Sequence, residues 1–563
     1  MPAILLIVIC IVAYFLGYSI YARYIQNRIL RLDPSRKTPA HLKRDGVDYV
    51  PARKMILFGH HFASIAGLGP IIGPAIAAQW GWLPAFLWLV VGGIFLGAVH
   101  DFVAVGVSLR FGGRSIGDIT RDIIGPRARV LFLLVVFFVI GLFMAAFAVI
   151  VAGYLVDFPN AVIPVCGLIV IATLMGTALY RFKIKLWIVT VLGIAVMAFL
   201  FYLGIKFPIE GISQEAWIFA LLGYSGVASV LPVWLLLQPR DYLNSFQLYG
   251  GLALLLISII VLGPVMGDVP PTHNLAGDGD KIPPVVPFIF IIVACGAISG
   301  FHSLVSSGTT VRQLNNERDA RLVTFGSMLT ESLFAVLVLI ACTAGLGYAA
   351  WHANYGAGAA NPLGIFKEGS AKMATSLGIS FDLAGLLLSV MAVGFAMTTL
   401  DTATRLLRFN VEEIGKSFKL NFLRSRYLAT VLAVGWIAFF ALLKFGGKPA
   451  WQVLWPMAGA SNQILVVLGL LAMSVYLYRL RRPTFVTLVP LVIMICVTIW
   501  ALVTTLINDG IAKGEYGLAA VSGILLVLAL WLAVEAVLKA VQMKRLGRSE
   551  SEELISEEAT KNE

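Results

Sequence analysis

FGHHFASIAGLGPIIGPAIAAQ, residues 58–79, decides the fold. The run is apolar enough for a membrane helix, yet it places Gly67, Gly69, Pro70, Gly73 and Pro74 at its centre. An unwound turn at membrane depth frees backbone N–H and C=O groups. Such groups are tolerated only where they line a cavity or meet a ligand. A second run, ALLGYSGVASVLPVWLLLQPRD at 220–241, carries Gly223, Gly226 and Pro232. Two broken spans, five helices apart and of opposite orientation, are the signature of an inverted-repeat transporter with its substrate at the breaks. Half-helix N-termini carry partial positive charge and suit a carboxylate. Gly67, Gly69, Gly73, Gly223, Ser225 and Gly226 are therefore the expected substrate-binding positions. Pro-kinked packing helices with no site are the plainer alternative.

Composition supports the membrane reading. Of 563 residues, 59% are hydrophobic and only 13% charged, against about a quarter charged in soluble domains. A soluble enzyme, a disordered chain and a nucleic-acid binder are excluded, so the expected partner is the lipid bilayer and no nucleic acid. The net charge of +12 comes from Arg and Lys in short links between apolar runs, as cytoplasmic loops require. A crossing helix needs about 20 apolar residues, and about fifteen runs qualify; among the later ones are 216–238, 245–266 and 285–307. The Arg- and Lys-rich link between Arg23 and Lys54 must be cytoplasmic. That places the N-terminus outside and the C-terminus in the cytoplasm.

The expected architecture is an all-α polytopic membrane protein with a 5+5 inverted-repeat core and a discontinuous first helix in each repeat. Residues 1–53 form an N-terminal helix and basic loop, 54–206 the first repeat and 207–408 the second. Four accessory helices follow over 409–545, then a disordered acidic tail over 546–563. The first run lacks a positive leader and reads as a retained helix rather than a signal peptide. The five cysteines lie in apolar runs without a CxxC pair, which argues against disulfides and iron–sulfur ligation. There is no ATP-binding P-loop, so a primary pump is excluded.

Ionisable residues inside spans are functional candidates. His60, His61, His100, Asp101, His302 and Glu331 all fall in the inner half of the membrane, roughly 5–15 Å from its inner edge by helix rise. They form one candidate site. Three uses compete: a proton relay through His60, His61, Asp101 and Glu331; zinc on His and carboxylate ligands; or b-type haem held by two of His60, His61, His100 and His302. Adjacent His60 and His61 diverge by about 100° on a helix, so one faces the core and the other a neighbouring helix. Ser303, Ser306, Ser307, Thr309 and Thr310 either complete a cation site facing the first break or cap a helix end. Asp401 and Arg405, at i, i+4, read as an ion pair or a cytoplasmic gate.

Several segments resemble signature blocks of the carbon starvation protein family, CstA. They are FGHHFASIAGLGPIIGPAIAAQWGWLP, HDFVAVGVSLRFGGRSIG, LPVWLLLQPRDYLNSF, SGTTVRQL, TTLDTATRLLRF and WPMAGASNQILVVL, in order between about residues 54 and 470. The resemblance implies a LeuT-like fold of the amino acid–polyamine–organocation superfamily. It further implies a bacterial inner-membrane importer of short peptides or pyruvate, coupled to H+ or Na+ and made in carbon starvation. His100 departs from the family block, where Gln is common. The family has also been associated with haem, quinone and zinc. The leading expectation is thus secondary transport that requires no cofactor; the alternative is a haem- and quinone-binding redox protein, with redox-gated transport combining the two. No pattern in the chain sets its oligomeric state.

Overall fold

The structure, a computed structural model, describes residues 2–278, 282–355, 362–442, 444–445 and 448–546. The described chain is helical apart from one two-residue strand pair, Lys444–Phe445 with Lys448–Pro449. Inside a bilayer a helix satisfies its own backbone, which is why apolar runs of this length become helices. Among the described residues eleven helices are long and apolar enough to cross a membrane, and one bent pair, taken as one span, makes a twelfth.

In chain order the helices are α1 Ala3–Leu30, the bent pair α2 Lys54–Ala66 and α3 Gly69–Ala77, and α4 Leu83–Arg110. Next come α5 Pro126–Asp157, α6 Val162–Tyr180, α7 Leu186–Lys206, α8 Gln214–Val230 and α9 Leu237–Leu262. The short helices α10 Val285–Ile292 and α11 Gly300–Gly308 precede α12 Arg321–Gly345 and α13 Phe381–Ser417. The last four are α14 Arg426–Leu442, α15 Ala450–Arg479, α16 Phe485–Asn508 and α17 Tyr516–Leu546. The tail expected over 546–563 lies, from residue 547, outside the described residues.

The first break stands where the sequence places it. Gly67 adopts φ 43°, ψ −146°, a conformation that favours glycine. The bent pair turns by 43° there. The carbonyls that α2 leaves open are bonded from α13. Thr398 Oγ1 donates to Ala63 O at 3.0 Å and Thr399 Oγ1 to Ser64 O at 3.2 Å.

The second break is elsewhere than expected. Helix α8 runs unbroken through Gly223, Ser225 and Gly226 and stops at Leu231. Leu231 precedes Pro232 and is extended, φ −67°, ψ 151°, because the proline ring disfavours the helical region for the residue before it. Isolated glycines inside a helix do not unwind it. The discontinuity falls instead between α10 and α11, over 293–299, inside the 285–307 run that reads as continuous. Its freed backbone is bonded by side chains of other helices. Trp88 Nε1 donates to Val293 O at 3.0 Å, Gln463 Nε2 to Phe290 O at 2.6 Å, and Phe301 N to Asn462 Oδ1 at 3.1 Å.

The two breaks touch. A Cβ on Gly69 would lie 2.3 Å from Cys295 Sγ, and one on Gly73 would lie 2.7 Å from Ile292 O. Small residues let membrane helices approach to backbone distance, and here they seat one broken segment on the other. Helices α5 and α13 also pack together, as do α4 and α12. Residues 460–477 of α15 are buried throughout. This helix sits at the centre, although the sequence groups it with the accessory helices. In contrast α7 and α17 are mostly exposed and present apolar side chains to the surroundings.

Candidate functional site

Two networks of fully buried ionisable groups lie beside the first break. One is centred on Asp101 of α4. Its Oδ1 is 3.3 Å from His100 Nδ1 and its Oδ2 is 3.2 Å from His302 Nδ1, on α11. His302 Nε2 is in turn 3.6 Å from Glu331 Oε2, on α12. All four side chains are 0% exposed. Neither Glu331 oxygen has a hydrogen-bond partner among the described residues, and the same holds for Nε2 of His61, His100 and His302. Buried polar groups are normally satisfied. A set of titratable atoms left open in one place suits the exchange of protons between them.

The second network starts at His60. Its Nδ1 lies 2.5 Å from Asp241 Oδ2, and Gln313 Nε2 donates to its Nε2 at 3.3 Å. Those two partners hold the ring orientation. Gln238 Nε2 donates to Gln313 Oε1, and Tyr180 OH to Gln238 Oε1, each at 2.6 Å. On the other side Arg240 Nη2 donates to Asp241 Oδ1 at 3.0 Å. Arg240 Nη1 is paired with Asp401 of α13, which also accepts from Tyr224 OH at 2.7 Å. Arg240 is 2% exposed and both aspartates 0%. Isolated charges at such depth are costly, so each is held by a counter-charge and by hydrogen bonds.

A third cluster lies where α13 meets the link after α1. Arg405 Nη1 donates to Asp48 Oδ1 at 2.6 Å, and its Nη2 donates to Ala228 O at 2.7 Å and Leu231 O at 2.5 Å. The guanidinium thus caps the open end of α8. Burial raises the Asp48 carboxyl, but Arg405, Arg408 and Arg312 more than offset it and hold it below the usual carboxylate range.

The structure brings together His100, Asp101, His302 and Glu331, as the depth reading expects. His60 belongs to the other network, and His61 turns to Thr310, their ring and hydroxyl atoms 2.8 Å apart. The two histidines do diverge. Asp401 and Arg405 do not pair with each other: α13 turns them toward different neighbours, Arg240 and Asp48. The Ser303, Ser307 and Thr309 hydroxyls donate to carbonyls of their own segment, Gly300 O, Ser303 O and Val305 O. They bond back within their own helix, and the hydroxyls beside the first break are those of Thr398 and Thr399. Ser306 Oγ is buried without a partner. Gly69 faces the Cys295 side chain and Gly73 the Ile292–Val293 backbone rather than open space, and nothing stands within 4 Å of a Cβ built on Gly223.

Arg240 and Asp241 are what sequence reasoning missed. QPRDYLNSF, 238–246, reads as a cytoplasmic link with Arg240 inside it. In the fold it is the first part of α9, buried. A guanidinium beside a carboxylate at the head of an apolar run was the available signal. Each of His60, His61, His100 and His302 has Nδ1 beside an Asp or Thr oxygen. Among the described residues no group of three or more His, Cys, Asp or Glu is arranged to hold a metal. The haem, quinone and zinc expectations gain no support from this geometry.

Comparison with known proteins agrees with the fold. The chain matches the family described as Carbon starvation protein CstA over residues 2–354 and 347–501. It is 32% identical to the pyruvate/proton symporter BtsT of Escherichia coli (strain K12), over 89% of this chain and 81% of that one. It is also 32% identical to the peptide transporter CstA of Bacillus subtilis (strain 168), over 95% and 96%. Among solved structures it resembles the manganese transporter of Eremococcus coleocola with a TM-score of 0.51 at 12% identity, covering 89% of this chain and 99% of that one. That likeness concerns the fold alone, which is LeuT-like.

Proposed function

The chain belongs to the carbon starvation protein CstA family, and from that premise we propose that it imports a small carboxylate nutrient, pyruvate or a short peptide, together with a proton. It is a membrane transporter and not an enzyme. The observation that carries the coupling is the pair of buried ionisable networks, His100–Asp101–His302–Glu331 and His60–Asp241–Arg240–Asp401, on either side of the first break. Proton uptake by His60, His61, Asp101, Glu331 or Asp401 changes the charge that holds α2, α4, α9, α11, α12 and α13 together. A change of packing between two states is what alternating access requires.

We further propose fifteen crossings. The three beyond the twelve long ones are α8, α14 and the broken pair α10 and α11. On that count the repeats are 54–206 and 285–479, with α8 and α9 inserted between them. Corresponding spans are then seven apart and so inverted. The pairing of break with break, α4 with α12 and α5 with α13 supports this arrangement. The Arg- and Lys-rich links support an N-terminus outside and a C-terminus in the cytoplasm, in what we take to be a bacterial inner membrane.

The test is uptake of labelled pyruvate and dialanine into proteoliposomes under an imposed pH gradient, acid outside. Accumulation should collapse with a protonophore and should vanish in the double variant His60→Ala, His61→Ala. Accumulation indifferent to the protonophore would remove the proton from the mechanism.

A further inference from the structure

Helices α6, α9 and α13 enclose a narrow cleft of about 10 Å³, room for about one water. Val165, Leu168 and Met397 give it apolar walls, and Arg240 and Gln247 give it polar ones. Arg240, Asn244 and Gln247 stand at i, i+4 and i+7 on α9, one face of one helix. Asn244 is 0% exposed, and neither its Oδ1 nor its Nδ2 has a hydrogen-bond partner among the described residues; Gln247 Oε1 also has none. Opposite them is Gly394 of α13. A Cβ there would come within 2.6 Å of Asn244 Oδ1 and 3.3 Å of Gln247 Oε1. Leaving a buried amide unpaired costs free energy, so unpaired donors and acceptors beside a guanidinium describe a site for a polar anion.

Arg240 has one fixed edge and one exchangeable edge. Nε and Nη2 are 3.3 and 3.0 Å from Asp241 Oδ1, and Asp241 is itself held by His60. Nη1 meets Asp401 and Tyr224. Asp401 Oδ1 has no hydrogen-bond partner among the described residues. The charged and titratable groups around Asp401 are Arg240 and Asp241 on α9, Tyr224 on α8, and His60 on α2 through Asp241. On its own helix Arg405 and Arg408 are turned to Asp48.

Building on the transport reading above, we propose that Arg240 binds the carboxylate of the nutrient and that Asp401 is the group the nutrient replaces. Asp401 takes a proton and becomes neutral, which frees the Nη1 edge of Arg240. The substrate carboxylate enters from the cleft and takes that edge, and Asn244 and Gln247 bond its remaining polar atoms. The proton on Asp401 removes one negative charge and the arriving carboxylate brings one, so the buried charge is unchanged over the two steps together. On release the carboxylate departs, Asp401 loses its proton to water, and the Arg240–Asp401 pair re-forms. The only covalent change is the O–H bond of Asp401. Proton and substrate enter together because Arg240 cannot hold two carboxylates on one edge.

The test is counterflow exchange of labelled pyruvate in proteoliposomes with no gradient, from about pH 5 to about pH 8. In the unsubstituted protein KM should rise about tenfold per pH unit once Asp401 is ionised. Asp401→Asn should hold KM low and flat. Asn244→Ala should raise KM several-fold at every pH without altering the slope. Methyl pyruvate, which lacks the carboxylate, should not compete. Monodispersity and reconstitution yield check that Asp401→Asn folds, and Asp401→Glu should restore the pH dependence. If Asp401→Asn keeps the unsubstituted slope, or if the ester competes as well as the acid, the assignment is overturned and the transport reading stands. If the unsubstituted protein exchanges neither pyruvate nor dialanine, the transport reading itself fails, and this assignment with it.

Discussion

Arg240 and Asp401 stand 161 positions apart in the chain and form a direct ion pair that is almost wholly buried. Desolvating two charges can cost more than their attraction returns, so such a pair is weak evidence for stability. Its presence beside a cleft is better explained by a function that separates the two charges.

Removing one partner strands the other. Arg240→Met should destabilise the folded protein by about 3–5 kcal/mol, and thermal unfolding in detergent would read it. The double variant Arg240→Met, Asp401→Leu should recover part of that loss, because Asp401 is no longer stranded while Asp241 keeps only His60. A double variant as unstable as the single one would show that the pair is not the source of the effect.

The two sequence-predicted breaks should respond oppositely to alanine. Gly67→Ala forces a side chain into a left-handed backbone, at about 1–2 kcal/mol, and its Cβ would come within 2.8 Å of Thr399 Oγ1. A lower melting temperature and reduced uptake are expected. Gly223→Ala meets open space on a continuous helix and should be neutral or stabilising by up to about 1 kcal/mol, with uptake unchanged. Loss of uptake in Gly223→Ala would restore a substrate role for that position.

Asp48 sets an acid limit on the Arg405 cluster. Its carboxyl is held below the ordinary range in the folded state. Its contribution is therefore fully present above the unfolded pKa and is lost as pH falls through the lower, folded value. Asp48→Asn should reduce stability at neutral pH and flatten the acid side of the stability profile. A variant whose profile stays parallel to the original down to acid pH would dismiss Asp48 as the titrating group.

Glu331 tests the other network. Glu331→Gln keeps the size of the side chain and removes the charge facing His302. Accumulation driven by a pH gradient should be lost while gradient-free counterflow persists. Accumulation at the original level would take Glu331 out of the coupling path.

Much of the fold was legible in the sequence because the bilayer enforces it. Apolar length gives the spans, and Gly67 with Pro70 gives the first break. The second break was not legible. Pro232 is a conspicuous signal but ends a helix, whereas the discontinuity at 293–299, which we propose as the second break, contains no proline and is bonded by Trp88, Asn462 and Gln463 from distant segments. Depth along each helix put His60, His61, His100, Asp101, His302 and Glu331 in one group; the fold divides them, because lateral position is set by packing and not by depth. Arg240 was not legible, since an arginine near a span boundary normally reads as a loop charge, and only tertiary packing decides whether α9 starts before or after it.

Under the proposed repeats, the contact of Gly69 with the Cys295 side chain and of Gly73 with the Ile292–Val293 backbone would serve as one shared fulcrum. An importer fed by a proton gradient must never leak from face to face. Two independent hinges would permit both doors to stand ajar at once. With one shared pivot, the lean that opens one door presses the other shut, and the seal is a matter of leverage rather than of timing.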